Sequence, residues 1–159
     1  WLGVVPTAQR LVVVTNARGE RGPDPDKVSR GVLVRELLTT NGDYSDPAEE
    51  QLESFNGFNL LALIGGAARL LTNRPDAVIR PLGPAVHAVA NEVAGRPCAR
   101  SERLAAVVQQ WLATNTAPER LLDHLRDEGP APLFLNDAVY GTRCSTLVAI
   151  DRHGAGMMI

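Results

Sequence analysis

Three polar side chains stand at the ends of strongly apolar runs: Asn16 closes "LVVVTN", Asn91 closes "AVHAVAN", and Arg143 precedes "CSTLVAI". An asparagine amide offers donors and an acceptor, and a guanidinium offers a rigid fork of donors with a permanent charge. Alternation along extended chain places Asn16 on the face of Val12 and Val14, Asn91 on that of Val89, and Arg143 on that of Ser145 and Leu147. A charge buried there is costly unless a carboxylate, a carbonyl cluster or an anionic ligand meets it, and a buried amide needs partners too. The residues alone leave two readings open. A strand-end asparagine commonly bonds its own backbone in a turn, and an arginine after Gly-Thr commonly sits at a solvated rim. Alternatively, the three mark a polar pocket where apolar strands end. "NGFN", from Asn56 to Asn59, reads by itself as a turn flanked by two core phenylalanines.

Other chemistries are poorly provided for. Cys98 and Cys144 have no second ligand at metal spacing, and the three histidines form no HxxxH or HExxH pattern. Two reduced thiols, no metal site and no cofactor are expected. Net charge is −2 with basic residues scattered singly, which gives no footprint for nucleic acid or an anionic membrane. No apolar run approaches the ~20 residues of a membrane helix, and no signal peptide is visible, so a soluble, cytoplasmic protein is expected. At 159 residues and 45% hydrophobic content the chain can enclose one real core, and residues 1–159 read as a single domain.

The elements that would position these groups follow from pattern. "WLGVVPTAQRLVVVTN" predicts two strands about a Pro-Thr-Ala turn, and "NARGERGPDPDK" a surface loop. Ser29 caps a helix carrying Val32, Leu33 and Leu37 that Gly42 ends, and Asp46-Pro47-Ala48-Glu49 starts a second, shorter one. Phe58–Ile64 and Ala67–Thr72 read as a hairpin about Gly65-Gly66, with Pro75 and Pro81 punctuating its exit and "AVHAVAN" a further extended piece. Leu104, Val107, Val108, Trp111 and Leu112 lie on one helical stripe. Thr116 and Glu119 form a capping box for another helix, stopped by Gly129-Pro130. Cys144–Ile150 reads as a strand, followed by a turn and a final apolar strand. Strands at both ends with helices between give an α+β class with a mostly antiparallel sheet covered by helices.

Taken in order, "WLGV", "VVVTNARG", "SRGVLVRELL", "NGFNLLAL", "LTNRP", "VAN" and "YGTRCSTLVAIDRHG" resemble the NRDE family, also called the transport and Golgi organisation protein family. The resemblance implies an αββα sandwich of the N-terminal-nucleophile-hydrolase type, incomplete at both ends. It departs at Ala90-Asn91-Glu92, where the family has Ser-Asn before a small residue, and at Pro97-Cys98, where it has Pro-Trp. The family's opening Met-Cys and its Asn-Arg-Asp-Glu motif are not in this sequence, so the chain is expected to match the middle and later part of a fuller protein.

What the resemblance implies for function is amide or ester hydrolysis through a terminal cysteine thiolate. Asn16 would donate to the oxyanion, Asn91 would orient the substrate carbonyl, and Arg143 would hold the thiolate. Asn59, Tyr140 and Thr142, in the most specific motifs, are read as ligand contacts. The alternative is a non-catalytic protein that uses the same cleft to carry a haem-like or lipid ligand. This chain alone, without the nucleophile, is expected to be inactive, and an open sheet edge is expected to make it self-associate.

Overall fold

Three successive valines between leucine and threonine favour extended chain that is paired on both sides, and Arg10–Asn16 is such a strand. A computed structural model describes residues 1–17, 22–114, 116–126, 129–139, 141–151, 153–154 and 156–159. In it β1 (Leu2–Val5), β2 (Arg10–Asn16), β3 (Phe58–Ile64), β4 (Ala67–Asn73) and β5 (Ala77–Leu82) form one antiparallel sheet in that order. The register sets Val14 opposite Leu60, Leu60 opposite Leu71, and Leu71 opposite Ile79. That apolar row, with Val12, Phe58 and Ala62, packs with α1 (Arg30–Thr39) and α2 (Glu49–Leu52) through Leu33, Val34, Leu37, Leu52 and Phe55. Phe55 meets Tyr44 and Phe58 edge to face, at ring separations of 4.8 and 5.9 Å.

Local chemistry sets most boundaries. Gly65 and Gly66 take φ of 57° and 83°, the pair of positive values that a tight hairpin between twisted strands requires. Ser29 caps α1 by accepting from the Gly31 N–H at 3.3 Å. The helix stops at Thr39, before Gly42, because Thr40 turns left-handed and Arg10 reaches across from β2 to the Leu38 carbonyl at 2.7 Å. Gly42 has a different task. Glu36 is buried, and its carboxylate accepts from the Tyr44 N–H and from Arg35, both at 2.9 Å; a Cβ on Gly42 would collide with it.

Two expectations about caps and strands in this part change. The cap of α2 is Ala48, not Asp46: Gln51 reaches back to the Ala48 N–H at 2.9 Å, while Asp46 pairs with Arg69. β5 replaces the expected irregular exit. Pro81 is tolerated in it because an edge strand can leave one side of its backbone without ladder bonds.

At the far end of β4, Asn73 is fully buried. Its Oδ1 accepts from the Phe58 N–H at 2.9 Å, and its Nδ2 donates to the Leu52 and Phe55 carbonyls at 3.0 Å each. One amide thereby ties the α2–β3 connection onto the sheet.

By contact density the chain divides into two units, residues 1–85 with 89–96 and 151–155, and residues 86–88 with 97–150 and 156–159. The second contains α3 (Ala99–Thr114), α4 (Glu119–Leu125) and an antiparallel ribbon of β6 (Val148–Ile150) and β7 (Gly156–Met158). The Trp111 indole donates to the Ala117 carbonyl at 3.3 Å across the α3–α4 turn, and Arg103 bonds the Pro130 carbonyl. The expected Thr116–Glu119 capping box does not form, since α4 starts after Pro118 with no side-chain cap. The expected strand from Cys144 is paired only from Leu147, which exchanges two backbone hydrogen bonds with Ile159 at 3.0 Å, through Val148–Ile150. The class is α+β, and among the described residues no helix is long and apolar enough to cross a membrane.

Asn73→Ala leaves a buried N–H and two carbonyls without their partner. At roughly 1–3 kcal/mol for a buried unsatisfied group, urea unfolding should show a loss of about 3 kcal/mol or more. Glu36 tests the electrostatics. The Tyr44 N–H and the Arg35 guanidinium hold its carboxyl below its ordinary value of 4.5. A depressed folded value adds stability above the ordinary one that is lost as pH falls through the folded one. The stability gap between wild type and Glu36→Gln should therefore be widest above pH 4.5 and narrow below it, as read by unfolding at a series of pH values.

Candidate functional site

β2 ends where the α2–β3 connection crosses it. Asn16 pairs with Phe58, and the next residue, Ala17, donates its N–H to the Gly57 carbonyl at 2.9 Å. Gly57 is needed for this approach: a Cβ there would lie 2.9 Å from the Ala17 carbonyl oxygen. The same Gly57 carbonyl accepts from Arg30, at the start of α1, at 2.9 Å.

The residues after Gly22 are drawn against this corner by groups imitating a strand partner. Asn56 accepts from the Asp24 N–H and donates to the Asp24 carbonyl, both at 2.8 Å. Val28 donates to the Ser54 carbonyl at 2.9 Å, and the Lys27 ammonium bonds the Glu53 carbonyl.

The opposite wall is the segment around Ala90, which has no ladder of its own and is held by side chains. Asn59, 2% exposed, donates through Nδ2 to the Ala90 carbonyl at 3.0 Å and the Glu92 carbonyl at 2.7 Å. Its Oδ1 accepts from the Thr72 hydroxyl at 2.9 Å, and Thr15 adds a bond to the Ala90 carbonyl at 3.1 Å. Between the walls lies an open cleft of about 890 Å³. Asn16, Asn56, Gly57 and Arg74 line one side of it, and Glu92, Val93 and Arg96 line the other.

The sequence-derived residues distribute as follows. Asn16 is exposed on the cleft wall, and its side chain makes no hydrogen bond to a described residue. Asn91 is exposed in the clamped segment, between the two carbonyls that Asn59 holds. Asn59 lies inside the sheet rather than on the cleft surface, with its amide committed to the wall.

Thr142 and Arg143 belong to the second unit. There Thr142 donates its N–H to the Leu135 carbonyl at 2.8 Å and accepts the Leu135 N–H on its hydroxyl at 2.9 Å. A Cβ on Gly141 would stand 3.1 Å from the same carbonyl, so Gly-Thr cinches a loop, and Arg143 leaves it exposed. Tyr140 lies outside the described residues.

Sequence reasoning missed the cleft's cations. Among its described lining residues are Lys27, Arg30, Arg74 and Arg96, against the carboxylates of Asp24 and Glu92. The usable signal was position: Arg30 follows a helix cap, and Arg74 follows the buried strand-end Asn73. Among the described residues no group of three or more histidine, cysteine or acidic side chains is placed to hold a metal ion.

Comparison with curated proteins gives no match. The family model described as Transport and Golgi organisation 2 matches residues 1–159. The chain therefore belongs to the Transport and Golgi organisation 2 family, of which NRDE is another name.

Proposed function

We propose that the cleft at the open end of β2 and β3 binds a small acyl compound, and that Asn16 offers its side-chain amide to the carbonyl oxygen. The position of Asn16 carries this reading: an exposed amide at the end of a buried strand, on the wall of a cleft of about 890 Å³. A donor already in place strengthens its bond as the oxygen gains negative charge, without reorganising during the reaction. Asn91, in the segment clamped by Asn59 and Thr15, is assigned the orientation of the same carbonyl.

Family membership supports an αββα fold of the N-terminal-nucleophile type and, with it, amide or ester hydrolysis through an acyl-enzyme. The described lining residues include no thiol or hydroxyl, and Cys98 and Cys144 belong to the second unit. In this reading the attacking thiolate is the terminal cysteine implied by the resemblance. The cleft residues bind and polarise.

A second reading, carriage of a haem-like or lipid ligand without turnover, is supported by the cations of the same lining, which suit the acidic groups of such a ligand. No histidine is among the described lining residues, so a haem in this cleft would be held by contact and charge rather than by an imidazole on its iron.

The full-length protein, offered acyl-amide and acyl-thioester probes and, separately, haemin, distinguishes the two. Turnover of an acyl probe is expected, with kcat lowered roughly 10²–10³-fold in Asn16→Ala while the thermal melt persists, the usual size for one oxyanion donor. Haemin binding with no turnover of any acyl probe would establish the carrier instead.

A further inference from the structure

The cleft holds more positive charge than its own carboxylates neutralise: four cations against two acids among the described lining residues. How those cations are held matters more than their number. Arg30 is fixed by the Gly57 carbonyl at 2.9 Å and Arg74 by the Asn73 carbonyl at 2.5 Å. The acid nearest Arg74 is Glu53, at a loose 3.7 Å. A carbonyl orients a guanidinium without cancelling its charge and uses only part of its five N–H donors.

Arg96 goes further. Its backbone is set by a bond to the Val93 carbonyl at 3.1 Å, and its side chain bonds no described residue. On the acidic side, Asp24 already accepts the Asp26 N–H at 2.9 Å, which satisfies part of that carboxylate locally.

We propose that this cleft selects ligands carrying an anionic group, a carboxylate or a phosphate, and that Arg96 receives it, with Arg30 and Arg74 adding their charge from elsewhere in the same lining. The inference rests on the reading of the cleft as a ligand site and adds the chemical class of what enters. The acyl carbonyl belongs at Asn16, and the anionic group belongs toward the arginines. Guanidinium forks suit both carboxylate and phosphate because each presents paired oxygens at matching spacing.

Three acyl probes identical except for a terminal carboxylate, phosphate or neutral carboxamide make the test. Each is titrated by calorimetry into the full-length protein, its Arg96→Gln variant and its Asn16→Ala variant. At least one anionic probe should bind the wild type about 10-fold or more tightly than the carboxamide, and this ratio should shrink as salt shortens the screening length from about 10 Å at 0.1 M. Which anion gains distinguishes carboxylate from phosphate ligands. Arg96→Gln should bring the ratio close to one, whereas Asn16→Ala should weaken all probes alike and leave it unchanged.

A wild-type ratio near one, or a ratio that survives Arg96→Gln, overturns the proposal. An unchanged response to Asn16→Ala with the charge preference intact would instead remove the acyl reading and leave the anion site standing.

Discussion

Two buried amides, Asn59 and Asn73, hold the end of the β3–β4 hairpin on which the cleft is built. They stand on neighbouring strands and, by strand alternation, on opposite faces of the sheet. In a low-dielectric interior an unpaired amide is costly, so each must find partners, and only chain brought against it can supply them. Asn73 takes Phe58 and the carbonyls of Leu52 and Phe55, and Asn59 takes Thr72 and the carbonyls of Ala90 and Glu92. Each amide thereby fixes one stretch of non-ladder backbone, and the cleft lies between those stretches.

This arrangement separates holding from exposure. The amides inside the sheet are saturated, while Asn16 and Asn91 at its end are exposed. Arg30 and Arg74 follow the same logic, oriented by main-chain carbonyls and still charged. Glu36 shows the opposite case. There a carboxylate is buried, meets Arg35 and the Tyr44 N–H, and serves the α1 turn alone. In the second unit the Gly-Thr pair of "YGTR" is a backbone device: a close approach at Gly141 and the Leu135 N–H bond accepted by the Thr142 hydroxyl define the loop from which Arg143 emerges.

Much of this was legible in the residues. Continuous apolar runs located β2, β3 and β4, the Gly-Gly turn set the hairpin, and Ser29 located the start of α1, because these signals act over a few neighbouring positions. The reading failed where a local signal competed with a distant one. Pro81 read as a break until an edge position made it harmless, and Thr116 read as a cap although α4 starts without one. "AVHAVAN" has the composition of a strand but no ladder, and side chains of β2 and β3 instead hold it by its Ala90 carbonyl.

The chain by itself determined its family, its α+β class and the polar ends of its strands, since residue type, order and alternation are properties of neighbours along the backbone. Only the tertiary structure decided which asparagines are saturated and which are open, and that Lys27, Arg30, Arg74 and Arg96 share one cleft. A hydrogen-bonding group's role depends on whether a partner arrives from far along the chain. Long-range packing settles that arrival, and no local pattern encodes it.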